Sequence, residues 1–180
     1  APALYDTGRP DWLKGKPLMF HVSGGTSELL LTEGYTVLQT RGTSLGLFAG
    51  QAVDRLGVKL GFPFPAGEAL SKLAEECKEE PKSKISTRGM DCHFSGLQNQ
   101  CEALLAGGCP PAYVAKFCLT AIAHTAVAMA KAARKIYPIF PLVCAGGVMA
   151  SSIIKTVMQR ELEHVYFVPS QFSSDNAVGI

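Results

Sequence analysis

The segment Ala145-Gly146-Gly147-Val148-Met149-Ala150-Ser151, directly after the apolar run Pro141-Leu142-Val143-Cys144, constrains the fold more than any other stretch. It joins a buried strand to a helix through two glycines. Glycines there let a flat ligand lie against bare backbone, and the helix beyond them turns unpaired N–H groups toward whatever binds. A tight strand-to-helix turn with no ligand satisfies the same residues. A second glycine pair favours the ligand: residues 20–31 read as strand, Gly24-Gly25 turn, strand, with hydroxyls on both sides of the turn. Such a hairpin offers backbone N–H groups and the side chains of Ser23, Thr26 or Ser27 to phosphate oxygens.

Strands and helices alternate along the chain. Residues 18–23, 29–32 and 35–41 read as three strands of an antiparallel meander, turning at Gly24-Gly25 and Glu33-Gly34. From Ser44 the period changes, and Leu45, Phe48, Ala49, Ala52, Val53, Leu56 and Leu60 form one helical stripe. Gly50, Gln51, Asp54 and Gly57 fall on the other side, where two missing side chains are expected to leave Asp54 open to a ligand. Gly61 stops that helix, a Pro-rich loop follows, and a second helix is expected over about 68–77. Residues 91–96 make a short turn into another helix. Pro110-Pro111 opens a long Ala-rich helix to about Tyr137, and beyond the glycine turn come a helix over 151–161 and a strand over 164–168.

Nearly half of the 180 residues are hydrophobic, enough for one sizeable core. A net charge of +2 does not by itself argue for nucleic acid. Lys78, Lys82, Lys84 and Arg88, interleaved with Glu75, Glu76, Glu79 and Glu80, read as a solvated helix end and loop. The six cysteines are scattered without a Cys-x-x-Cys pair, which suits reduced thiols in a cytoplasmic protein. No uninterrupted apolar stretch approaches a bilayer span, so no membrane partner is expected. No His-Glu-x-x-His or nucleophile-elbow motif argues for a protease. Ser174-Asp175-Asn176 reads as a helix N-cap, yet barely one turn follows before Ile180, so the chain is expected to be a fragment of a longer protein.

Six motifs carry a family resemblance. They are Val22-Ser23-Gly24-Gly25-Thr26, Gly50-Gln51-Ala52-Val53-Asp54-Arg55, residues 61–67 (Gly-Phe-Pro-Phe-Pro-Ala-Gly), Phe94-Ser95-Gly96-Leu97, Ala145-Gly146-Gly147-Val148 and Ser174-Asp175-Asn176. In order and spacing they resemble the Kae/TsaD/Gcp family, once called O-sialoglycoprotein endopeptidase, which makes N6-threonylcarbamoyladenosine in tRNA. The resemblance runs from about Pro17 to Ile180. It implies an α/β fold of the ASKHA type, the actin-like ATPase architecture of two ribonuclease-H-like lobes with a nucleotide between them. Residues 17–180 would be the second lobe, a mixed sheet with an antiparallel meander flanked by helices and truncated at its C-terminus. Residues 1–16 would be an N-terminal extension or inter-lobe segment.

The resemblance also implies a site. Val22, Ser23, Gly24, Gly25 and Thr26 would face the phosphate or carbamoyl part of a threonylcarbamoyl-adenylate, and Asp54 the ribose hydroxyls. Gly67, Gly146 and Gly147 would leave room for the nucleoside, beside Ser151. Asp175 aligns with a carboxylate metal ligand. The expected cofactors are ATP or an acyl-adenylate and one divalent metal, iron or zinc. The expected partners are an adenine nucleotide, tRNA and other subunits of a threonylcarbamoyl-transfer complex. This chain alone should hold little metal, because the family's His-x-x-x-His pair is absent from it.

The chain also departs from the pattern. Thr26-Ser27-Glu28 replaces the usual His-Thr-Gln after Gly-Gly, Gln51 stands for Glu, Ala66 for the first Gly of a pair, and Ser151 for an Asn. A non-catalytic nucleotide-binding or assembly module of the same fold, or another ASKHA phosphotransferase, therefore stands beside the transferase. Plainer roles exist for single residues: a solvated helix carboxylate for Asp54, a helix N-terminal charge for Asp175, a satisfied core histidine for His124. His21 and His93 show no partner arrangement in the sequence, and Thr26 and Glu28, two apart on a strand, are expected to share a face.

Overall fold

The computed structural model describes residues 15–169, apart from 34, 35, 86 and 139. Strand β1 (Leu18–Val22) alternates strictly, burying Leu18, Phe20 and Val22 and leaving Met19 and His21 half-buried. That period of two fixes which face meets the core. It pairs antiparallel with β2 (Ser27–Glu33) from Leu18↔Leu31 to Val22↔Ser27, and β2 pairs antiparallel with β3 (Thr36–Thr43). The other edge of β1 takes β6 (Leu142–Ala145) in parallel, and β6 takes β7 (Val165–Phe167) in parallel. The described residues thus build a five-stranded sheet in the order β3-β2-β1-β6-β7, a mixed sheet with the expected meander.

Four helices lie in sequence between β3 and β6: α1 (Ala49–Lys59), α2 (Gly67–Glu75), α3 (Ser95–Ala106) and α4 (Pro111–Arg134). Helix α5 (Ser152–Glu161) connects β6 to β7. Such crossovers are what parallel pairing demands. The core runs from Leu18, Phe20, Val22, Leu29, Leu142 and Cys144 on the sheet into α1 through α5. Helix α4 opens with Pro111 in its first turn, where a missing N–H costs nothing. By length and hydropathy α4 is apolar enough to cross a bilayer, which reading uninterrupted runs did not reveal. Its most apolar window is 78% buried among the other elements, so that apolarity is used in the core.

Several boundaries differ from expectation. Helix α1 begins at Ala49 rather than Ser44, because Ser44 and Leu45 are held by β5 (Asp91–Cys92), which pairs with β4 (Thr87–Arg88). Ser44 bridges to Cys92, and Leu45 N–H donates to Cys92 O at 2.9 Å. Leu45, assigned to the helical stripe, is therefore 51% exposed. Gln51 Oε1 accepts from Phe48 N–H at 3.2 Å and closes the new N-terminus. Helix α2 ends two residues earlier than expected and α4 three earlier. The helix after the glycine turn begins at Ser152, behind a 3-10 turn over Gly147–Ala150. Residues 1–14, Tyr35, Gly34, and Ser174-Asp175-Asn176 lie outside the described residues.

Candidate functional site

Strands β1 and β6 run parallel side by side, so their carboxyl ends open at the same end of the sheet. In open α/β sheets that end is where ligands bind. The Ser23–Thr26 hairpin leaves β1 there and the Gly146-Gly147 turn leaves β6 there. Gly146 has φ +101°, and a Cβ on it would lie 2.1 Å from Val22 O, so glycine alone lets the two turns touch. Helix α1 reaches the same place through Gly50, whose missing Cβ would lie 2.3 Å from Ser23 O.

This contact corrects one expectation. Gly50 and Gly57 do not open space around Asp54. The hairpin backbone occupies the first gap, and Ala66 Cβ would stand 2.3 Å from a Cβ on Gly57. Asp54 is half-buried, and its Oδ1 accepts from Ala66 N–H at 2.8 Å. That bond ties α1 to the start of α2 just before Gly67. The carboxylate's second oxygen, Oδ2, remains for another donor.

The hydroxyls divide in two groups. Ser27, one of three offered to phosphate by the sequence, is 3% exposed, and its Oγ accepts from Ala49 N–H at 3.0 Å. It caps helix α1 rather than facing a ligand. Ser23 and Thr26 stay part-exposed, with Ser23 Oγ 2.8 Å from Thr26 Oγ1. Gly24, Gly25 and Gly147 are exposed, and a Cβ on any of them would meet nothing within 4 Å. Bare, unobstructed backbone therefore faces out from both turns.

Ser151 is 9% exposed and shares a 2.6 Å hydrogen bond with Ser71 Oγ on α2. Ser71 stands one turn after Gly67, and one turn further Glu75 accepts a hydrogen bond from Ser152. Hairpin, α1, the start of α2, Ser151 and the Gly146-Gly147 turn thus form a closed ring around the carboxyl ends of β1 and β6. Every expected nucleotide residue belongs to it: Val22, Ser23, Gly24, Gly25, Thr26, Asp54, Gly67, Gly146, Gly147 and Ser151. Asp175 lies outside the described residues.

Two members were not identified from sequence. Ser71 falls four residues after Gly67, on the same helix face, and that spacing was the available signal. His21, given no partner, has its Nδ1 3.1 Å from Thr26 Oγ1. It also pairs in register with Glu28, so Thr26, His21 and Glu28 share one side of the hairpin. His124 is satisfied by Ser83 Oγ at 3.1 Å, but it is half-buried, at the edge of the core rather than inside it as expected. The thiol under the turn, Cys144, is fully buried, and burial pushes its pKa up, so it is no nucleophile.

A mixed sheet in this order, flanked by helices and with paired glycine turns at its carboxyl end, has the α/β architecture of an ASKHA, or actin-like, lobe. Solved structures share that fold. Thermococcus kodakarensis HypF superposes with a TM-score of 0.62 at 18% identity, over 78% of this chain and 19% of that one. The Acidaminococcus fermentans (R)-2-hydroxyglutaryl-CoA dehydratase component A gives 0.59 at 12% identity, over 91% and 59%. The sequence narrows the class further. The profile of the TsaD family, tRNA N6-adenosine threonylcarbamoyltransferase, matches residues 3–180, and the chain belongs to that family. The family's Thermus thermophilus enzyme is 34% identical over 176 residues, 94% of this chain and 54% of that protein. The Moorella thermoacetica enzyme is 30% identical over 173 residues, 88% of this chain and 51% of that one. The chain spans about half the length of the curated relatives it matches.

Proposed function

We propose that the protein at its natural length transfers a threonylcarbamoyl group from threonylcarbamoyl-adenylate to N6 of a tRNA adenosine, and that this chain supplies the wall holding the adenylate. The observation that carries this is the ring at the carboxyl ends of β1 and β6, which gathers two open glycine turns and the Asp54 carboxylate at one place. The N6 lone pair attacks the carbamoyl carbon, the bond to the phosphate oxygen breaks, AMP leaves, and N6 loses a proton. The Gly24 N–H and the Ser23 hydroxyl donate to the oxygens on which negative charge collects, while Gly25 N–H holds Ser23 Oγ in place. Donors fixed in place before reaction cost no reorganisation when that charge appears. Asp54, oriented by Ala66 N–H, turns Oδ2 to the ribose.

The family resemblance also implies a divalent metal. Among the described residues no three His, Cys, Asp or Glu side chains are placed to hold one, so these residues do not fit such an ion and no step is routed through it.

A second reading is a nucleotide-binding module without transfer. The engagement of the Ser151 hydroxyl by Ser71 favours it, since that hydroxyl replaces the family's nucleoside-contacting Asn. The deciding experiment incubates the natural-length protein with threonylcarbamoyl-adenylate and unmodified tRNA. AMP release together with the modified nucleoside, seen by mass spectrometry, is the expected result. Adenylate binding without transfer would establish the module instead, and no adenylate binding would overturn both readings.

A further inference from the structure

We propose that His21 is a positioning residue that gives the phosphate-facing hairpin its hydrogen-bond direction, acting through Thr26 on Ser23. The family pattern has an imidazole directly after Gly-Gly, and here Thr26 holds that position. His21 returns an imidazole to the same hairpin from β1. Its Nδ1 lies 3.1 Å from Thr26 Oγ1, which lies 2.8 Å from Ser23 Oγ, and Gly25 N–H donates to Ser23 Oγ at 3.4 Å. Ser23 N–H to Thr26 O at 2.9 Å closes the turn and keeps the three side chains in line.

Each hydroxyl has one proton to give, so this chain has two directions. When Nδ1 accepts, Thr26 donates to it, Ser23 donates to Thr26, and the tip presents only Ser23 lone pairs. When Nδ1 carries a proton, it donates to Thr26, Thr26 donates to Ser23, and the Ser23 proton is free at the tip beside the Gly24 amide. Only the second direction complements an anion. The bound phosphate and the ring proton therefore select each other. The in-register neighbours of His21 are Glu28 on β2 and Ala145 on β6, so the charged side chain that strand pairing brings to its face is Glu28. The Glu28 carboxylate thus shares its side of the hairpin with an imidazole.

This inference rests on the adenylate reading of the ring, and the test separates the two. The natural-length protein is titrated calorimetrically with adenosine 5′-methylphosphate, whose one negative charge sits on the group the hairpin faces, and with adenosine. His21→Leu should bind the methylphosphate about tenfold more weakly, the loss of one hydrogen bond to a charged group, with adenosine affinity unchanged. His21→Asn should recover most of it, because its amide N–H stands where Nδ1–H did. In the unmutated protein, the 15N signal of Nδ1 should move to its protonated position with the methylphosphate and not with adenosine. Equal methylphosphate affinity in the wild-type protein and His21→Leu, or an Nδ1 signal that ignores the ligand, would overturn the role of His21 and leave the adenylate reading standing. Failure of the wild-type protein to bind either ligand would overturn the adenylate reading and this one with it.

Discussion

At the scale of single residues, the glycines do two different jobs that the sequence does not distinguish. Gly50 and Gly146 are filled by backbone from the hairpin and from Val22, whereas Gly24, Gly25 and Gly147 face open space. Gly50→Ala should therefore destabilise the protein by about 1–3 kcal/mol in urea unfolding, because its methyl must displace Ser23 and Gly24 backbone rather than a flexible side chain. Gly147→Ala should stay within about 0.5 kcal/mol of wild type. On the proposed function it should nevertheless weaken adenylate binding, since its methyl would stand in the open space in front of that backbone. Unchanged affinity in Gly147→Ala would remove the ligand from that backbone. Asp54 has the same double character. Its Oδ1 holds Ala66 N–H, so Asp54→Ala should cost about 1–2 kcal/mol of stability as well as adenylate affinity. Asp54→Asn keeps an Oδ1 acceptor and removes the charge, so it should hold stability while losing affinity. If Asn lost stability as Ala does, the carboxylate's role would be mainly in tying α1 to α2. The glycine pairs were legible as turns at the ends of β1 and β6 because a glycine pair after an apolar run is a local sequence signal. What packs against Gly50 was not, because periodicity tells which residues share a face and never which backbone lies opposite.

At the scale of elements, local signals read well and long-range ones poorly. Pro110-Pro111 and the apolar composition announced α4, and the Gly-Gly turn set the β1–β2 register. The start of α1 was misread because Ser44 and Leu45 are claimed by Cys92, far along the chain, and two-residue strands such as β4 and β5 have no period to detect. A similar long-range tie holds the segment after α2. Lys116 on α4 has a side chain only 10% exposed; its Nζ lies 2.9 Å from Glu80 Oε1 and donates to Cys77 O at 3.0 Å. His124, two turns further along α4, holds Ser83. Lys116→Met keeps the apolar stem and deletes both bonds of the ammonium. Since Glu80 is 66% exposed and can hydrate when released, the global cost should be modest, about 1 kcal/mol. The local effect should be larger. Trypsin should cut at Lys78, Lys82 or Lys84 several-fold faster in Lys116→Met under native conditions, because cleavage follows the open population of the segment. An unchanged digestion rate would show that the segment is held elsewhere.

At the scale of the whole molecule, the sheet and its helices make one continuous core, and the ring of turns crowns one end of it. The thiols report on that core. Cys92, Cys101, Cys118 and Cys144 are buried, while Cys77 and Cys109 are partly exposed. Burial pushes the Cys92 thiol from 9.0 up to about 11, with a smaller upward push from Asp91 against a lowering by Ser44. Contact with Cys101 and burial raise Cys118, and burial raises Cys144. Each is a group whose folded pKa lies above its unfolded one. The folded chain keeps these thiols protonated where the unfolded chain ionises them, so their contribution is complete below pH 9 and is lost as pH rises. For Cys92 the loss falls between pH 9 and about 11. The urea midpoint should accordingly decline across that window, and Cys92→Ala, whatever its starting stability, should decline less steeply, because one of the protons released on unfolding is gone. Lysine and tyrosine titrations are common to both proteins and cancel in the comparison. Iodoacetamide gives an independent reading of the same core. At pH 8 it should modify Cys77 and Cys109 first and reach the four buried thiols only at the rate of opening, which mass spectrometry of the labelled peptides resolves. Early labelling of Cys144 would mean that the β6 strand, and with it the Gly146-Gly147 turn, opens separately from the rest of the sheet. The ring it anchors would then be a moving part rather than a fixed wall.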